Sequence, residues 1–118
     1  MKICFSASGR DEKSMLNPRF GRCPYFLIFD DKDKKWVTVD NQAAAAFRGA
    51  GVIAAQVVVD LGCQAVVSGN VGPNAFNVLQ GTGIKIYQGK VEKSIEENLR
   101  LLKKGKLLLF KEARGWLR

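Results

Sequence analysis

The chain contains no histidine. That removes imidazole as a metal ligand and as a base titrating near neutral pH, and with it serine- or cysteine-type hydrolysis that depends on such a base. Its three cysteines, Cys4, Cys23 and Cys63, are an odd number, widely spaced and without a C-x-x-C pair. They compose neither a disulfide framework nor a complete structural zinc or iron–sulfur site. No apolar run approaches the length of a membrane span, and the start of the chain has Lys2 but no extended apolar segment, so the expected location is the cytoplasm, with no membrane partner. G-x-x-x-x-G-K-[ST] and a G-x-G-x-x-G after a strand are also missing, which ranks nucleotide binding low. Acidic residues are scarce relative to basic ones, 11 against 19, for a formal net charge of +8.

What is present suits one domain with a real core: 118 residues, 47% hydrophobic and 25% charged. The charge favours anionic partners, whether nucleic acid, acidic proteins or small anionic ligands. Part of it has a simpler use. Lys32, Lys34 and Lys35 mark a turn, and Lys103, Lys104 and Lys106 sit near a helix end, where cations complement the helix dipole.

Pattern and punctuation divide the chain as follows. Residues 2–7, Tyr25 to Asp30 and Lys35 to Asp40 read as strands, the last two joined as a hairpin across the turn at Asp31 to Lys34. Gly49-Ala50-Gly51 opens a helix from Val52 to Leu61, whose narrow polar stripe, Gln56 and Asp60, marks burial over most of its surface; Gly62 ends it. Gln64 to Ser68 is a short strand, Pro73 starts a helix to about Gln80, and Ile84 to Tyr87 is another strand. Val91, Ile95, Leu99 and Leu102 follow helical spacing, with Glu96 and Arg100 as a surface pair and Gly105 as the stop. Leu107 to Phe110 adds a short edge strand. The domain is expected over 1–110, with 111–118 a basic tail in which Trp116 is a candidate docking anchor; the alanine run Ala43 to Ala46 falls in a loop.

The order β-β-β-α-β-α-β-α gives an α/β protein with a mixed sheet flanked by helices, the crossovers being parallel and right-handed. If the first strand pairs with the fourth in parallel, the loops 8–24, 41–51 and 68–72 all leave at one sheet edge, where open α/β sheets bind ligands. Arg10, Arg19, Arg22, Cys23, Asn41, Arg48, Gly49, Gly51, Ser68, Gly69, Asn70, Gly72 and Asn74 then share one rim. Two of these loops feed helix starts, which attract anions. The stretch Arg19 to Phe26 combines two guanidiniums with a thiol; it reads either as a sharp turn with solvated arginines or as a loop for an anion or metal. Cys4 is expected in the core and Cys63 at the opposite edge, leaving Cys23 as the one thiol placed for chemistry.

These residues also carry a family likeness. Arg19-Phe20-Gly21-Arg22 followed by Pro24-Tyr25-Phe26, then Gly49-Ala50-Gly51, Asp60-Leu61-Gly62 and Gly72-Pro73-Asn74-Ala75-Phe76, resemble the dinitrogenase iron–molybdenum cofactor biosynthesis family over roughly residues 1–107. The resemblance implies a ribonuclease-H-like fold. It implies a small non-enzymatic protein that binds or carries iron–molybdenum cofactor, its precursor or another iron–sulfur cluster, with metal-cluster donor and acceptor proteins as partners. Family members often have a histidine where this chain has Arg19, so Cys23 is left as the candidate metal ligand, and a chain with one rim thiol would hold a preformed cluster loosely, as a monomer or a weak homodimer. The alternative is a non-catalytic nucleic-acid or small-anion binder. Nuclease chemistry needs clustered carboxylates for two metals, yet Lys2 to Ala7 has no acid, and Asp30, Asp31 and Asp33 lie at the far turn.

Overall fold

Strand β1 (Lys2–Ala7) is buried along all but its first residue, so both of its faces are covered. Its alternate side chains serve two cores, as the pleat requires. Ile3, Phe5 and Ala7 join one apolar cluster with Leu27, Val67 and Ile95, while Cys4 joins the other with Phe26, Val66 and Leu79. The structure, a computed structural model, describes residues 1–111; the expected tail, Trp116 included, lies beyond the described residues apart from Lys111.

Strand β2 (Tyr25–Asp30) runs antiparallel to β1, pairing Tyr25 with Ala7 and Asp30 with Lys2, and β3 (Lys35–Asp40) returns antiparallel to β2. On the other side β4 (Ala65–Ser68) lies parallel to β1, β5 (Lys85–Gln88) parallel to β4, and β6 (Leu108–Leu109) antiparallel to β5. The sheet order is β3-β2-β1-β4-β5-β6. Helices α1 (Ala50–Asp60) and α2 (Pro73–Gly81) supply Ala54, Val58, Phe76 and Leu79 to the core on one face; α3 (Ile95–Lys103) supplies Ile95 to the core on the other. None of the helices among the described residues is long and apolar enough to cross a membrane.

Four local readings are corrected. Helix α1 begins at Ala50, not Val52, and Val52 and Ile53 are 40% and 43% exposed, so its first turn is only half covered. Gln56 donates to Asp60 at 3.0 Å along its polar stripe. Helix α3 begins at Ile95, leaving Val91 exposed in the preceding loop. The reason is a capping box: Ser94 Oγ accepts from Glu97 N–H, and Glu97 Oε1 accepts from Ser94 N–H at 3.1 Å, a stronger start signal than one more apolar residue in register. Glu96 faces Lys13 at 3.6 Å instead of Arg100. The alanine run forms a short 3-10 helix, Gln42–Ala45, capped by Asn41. At the far end of the sheet Lys103 does more than oppose a dipole: it reaches Asp31 at 2.9 Å and lies over the Phe29 ring.

Candidate functional site

Because β1 and β4 are parallel, the loops that follow them leave the sheet at the same edge, and the 17–20 segment is stitched to the loop after β4. Asn17 N–H donates to Ser6 O at 2.8 Å, Gly69 N–H to Asn17 O at 3.4 Å, and Phe20 N–H to Asn70 O at 3.2 Å. Asn17 Oδ1 accepts from Arg19 N–H at 2.9 Å. Phe20 is buried against Phe26, ring centroids 5.3 Å apart, which presents Arg19, Gly21 and Arg22 outward around it. Gly21 sits against the first turn of α1: a Cβ there would lie 2.8 Å from Gly51 N and 2.9 Å from Gly51 Cα. Any side chain at 21 would push the loop off the helix.

Both α1 and α2 begin here. Gly49 precedes α1 in the left-handed region, φ 71°, and Gly72 precedes α2, with Pro73 at its first position. Neither helix has a side-chain cap or an acidic residue in its first turn, whereas α3 has both. The first intrahelical bonds are Ile53 N–H to Gly49 O and Phe76 N–H to Gly72 O. The first-turn N–H groups of Ala50, Gly51 and Val52 on α1, and of Asn74 and Ala75 on α2, therefore have no acceptor within their own helix.

These elements enclose an open cleft of about 350 Å³, lined by Arg19–Arg22, Gly49–Val52, Asn70 and Gly72–Ala75. The lining contains no carboxylate, thiol or hydroxyl. No Asp or Glu occurs in 13–29, 41–59 or 61–91, the stretches that contain every residue of this lining. Two helix starts with positive dipole ends, two guanidiniums and close-approaching backbone thus converge in a lining that holds no carboxylate. Arg22 is held in place by its Nη1, which donates to Ala44 O at 3.0 Å and Ala46 O at 2.6 Å. Such a site can bind an anion.

Of the expected site residues, Arg19, Arg22, Gly49, Gly51, Asn70, Gly72 and Asn74 meet in this cleft. The others do not line it. Cys23 is fully buried, its thiol donating to Phe20 O at 3.3 Å with Asn41 Nδ2 3.8 Å away. Burial pushes this thiol up to about 12, so it is protonated and faces the core, and the expectation of a rim thiolate is corrected. Asn41 is a clamp: its Nδ2 donates to Gly21 O and Cys23 O, and its Oδ1 accepts from Ala43 N–H. Ser68 is buried and accepts from Ser6 Oγ at 2.8 Å.

Gly69 packs so closely that a Cβ would sit 2.6 Å from Pro18 Cα, and it borders a second cavity, shared with Asn70 and Gln88–Glu92. Arg48 lies over Phe47, and Arg10 binds Asp40 at 3.0 Å and covers Tyr25. Cys4 and Cys63 are both buried, Cys4 raised chiefly by burial and Cys63 lowered chiefly by its hydrogen bond with Cys4. Among the described residues no group of three or more His, Cys, Asp and Glu could hold a metal ion. Phe20, Gly21, Ala50, Val52, Pro73 and Ala75 complete the cleft; they were not named as site residues from the sequence, although all but Val52 stand within the motifs quoted there. The glycine between two arginines and the Gly-Pro-Asn-Ala helix start were the available signals, since each supplies backbone where a side chain would otherwise stand.

Known proteins share this architecture. The apo form of the orange protein from Desulfovibrio gigas superposes with a TM-score of 0.92 at 30% identity, covering 96% of this chain and 95% of that one. A Thermotoga protein described as a NifB candidate superposes with a TM-score of 0.84 at 27% identity, covering 98% and 97%. An uncharacterized protein of Methanocaldococcus jannaschii is 31% identical over 102 residues, 84% of this chain and 86% of that protein. Residues 1–105 match the family described as dinitrogenase iron-molybdenum cofactor, and the chain belongs to that family.

Proposed function

We propose that the cleft holds a preformed, anionic metal–sulfur cofactor as cargo, and that the protein is a non-enzymatic carrier of iron–molybdenum cofactor, its precursor or a related iron–sulfur cluster. The observation that carries this reading is the meeting of two uncapped helix starts with Arg19 and Arg22 in a cleft free of acidic groups. The donor set suits a cluster that brings its own sulfide or carboxylate ligands. It does not suit a bare metal ion or a cluster that needs protein thiolates, because Cys23 is buried and protonated. Cargo held by charge and N–H donors can be released without breaking a metal–protein bond, as a carrier between donor and acceptor proteins requires. The mixed sheet, with a hairpin on one side of β1 and parallel strands on the other, supports a ribonuclease-H-like fold over residues 1–110, with 111–118 as a basic tail. A monomer or weak homodimer in the cytoplasm completes the proposal.

Metal and sulfide analysis of protein purified without oxygen tests it, followed by titration with tetrathiomolybdate and with iron plus sulfide, read by charge-transfer absorption. Arg19→Ala and Arg22→Ala should each weaken loading by about tenfold, equivalent to about 1.4 kcal/mol, and Cys23→Ala should leave it unchanged. A protein that stays colourless under all these conditions, or loading that depends on Cys23 and ignores both arginines, sinks the reading. Binding of inorganic phosphate or an oligonucleotide in preference to thiometallate would favour the small-anion or nucleic-acid alternative, with the oligonucleotide losing affinity steeply as salt rises.

A further inference from the structure

Beside the cleft, where the 3-10 helix gives way to α1, the chain places its most exposed large apolar side chain among the described residues: Phe47 is 91% exposed. The Arg48 guanidinium lies 5.7 Å from its ring centroid, and Ile53 and Val52 add exposed apolar surface on the first turn of α1, Val52 also lining the cleft. A phenylalanine left in water contributes nothing to the core, and aromatic and arginine side chains are those that dominate protein contacts. The base of this loop is fixed: Arg22 donates to Ala44 O and Ala46 O, and Ala46 N–H donates to Ala43 O at 3.0 Å. Phe47 therefore stands out from a braced frame that shares Arg22 with the cleft. The surrounding segment, 41–59, has no acidic residue.

We propose that the surface formed by Phe47, Arg48 and Ile53 is where a protein partner docks to exchange the cargo, a partner presenting an apolar hollow edged by carboxylates. The proposal rests on the carrier reading of the cleft and locates the exchange beside it. Charge decides between occupants. A second copy would bring another +8 and, in a two-fold contact, the same basic rim against itself, whereas an acidic partner gains from every arginine around the cleft.

The test places a photo-reactive phenylalanine analogue at position 47 of the full chain in its native cells and identifies the adduct. The captured protein is then purified and titrated against wild type, Phe47→Ser and Arg48→Glu. The expected result is an acidic adduct whose Kd rises at least about tenfold with either variant and also rises with salt, while Phe47→Ser still binds tetrathiomolybdate as wild type does. Transfer of bound thiomolybdate to that partner should slow in Phe47→Ser. An adduct that is a second copy of this chain, an affinity indifferent to Phe47, or no protein adduct at all overturns the proposal. The thiomolybdate titration keeps the two failures apart. A wild type that does not bind the anion overturns the carrier reading, and one that binds it but has a partner indifferent to Phe47 overturns the docking surface alone.

Discussion

Cys23 shows how far a single residue's role depends on what packs over it. In the sequence it stands between Arg22 and Pro24 in a loop rich in cations, a setting that favours a reactive thiolate. In the fold its sulfur lies beneath the Phe20 carbonyl and beside Asn41, eighteen positions away. That contact is set by long-range packing, so no local pattern announces it. The consequence can be measured. A thiol raised to about 12 by burial favours the fold while it is neutral, against about 8.5 in the unfolded chain. Its stabilisation is complete below the unfolded value and is lost as pH climbs from about 9 toward 12, at up to about 1.4 kcal/mol per pH unit. Urea unfolding across this range should show the decline flattened in Cys23→Ala, against which the other two thiols serve as background. In native protein at pH 8 the Cys23 thiol should resist thiol-specific reagents and become reactive on unfolding.

The three α-helices among the described residues differ in how they begin, and the difference separates self-capped from open helix starts. Helix α3 satisfies its own start with Ser94, Glu97 and two first-turn acids, while α1 and α2 leave theirs open at the cleft. Gly72 is the place to exchange one condition for the other. Its φ is −69°, and a Cβ there would meet nothing within 4 Å, so Gly72→Asp fits without strain. We expect this variant to gain up to about 1 kcal/mol in stability from the cap and the dipole, read by thermal or urea unfolding. The same variant should lose thiomolybdate binding, because its carboxylate occupies the donors that the anion needs. Most elements were legible from the sequence, because strand alternation and glycine or proline punctuation act locally: β1, β2 and β3 fall where the pattern places them. The start of α3 was misread because Val91 continues the apolar period through a loop, although the Ser94-x-x-Glu97 signature marked the true boundary. The exposure of Val52 and Ile53 could not be read, since periodicity reports which residues share a helix face and not whether anything covers it.

At the scale of the whole molecule, the cleft and the opposite edge of the sheet treat charge differently. The cleft lining carries Arg19 and Arg22 and no carboxylate, and the far end ties the β2–β3 turn to α3 through Asp31, which Lys34 and Lys103 reach at 2.8 and 2.9 Å. The hydrogen bonds from Lys34 and then Lys103 lower the Asp31 carboxyl to about 2. Its contribution is therefore present above the unfolded value near 3.9 and is lost as pH falls from about 4 through 2. Acid unfolding of Asp31→Asn should show less pH dependence in that window than wild type, with thiomolybdate binding at neutral pH unchanged, since the turn lies away from the cleft. The convergence of loops at one sheet edge was also readable in advance, from strand direction alone; which of their side chains face the cleft was not, because that depends on the depth of each loop's packing.

One methyl group sets the bore of the site. At Gly51 a Cβ would come within 3.3 Å of the Ala75 Cβ, so the two helix starts stand as near to each other as the smallest side chains permit. The separation acts as a caliper, fixed by the sheet beneath and graded by whatever occupies position 51. Widening it by Gly51→Ala should cost affinity for a compact tetrahedral anion more than for a bulky polynuclear one. The ratio of the two affinities, measured by titration with tetrathiomolybdate and with a larger thiometallate, then reports how strongly the gap selects anions by size.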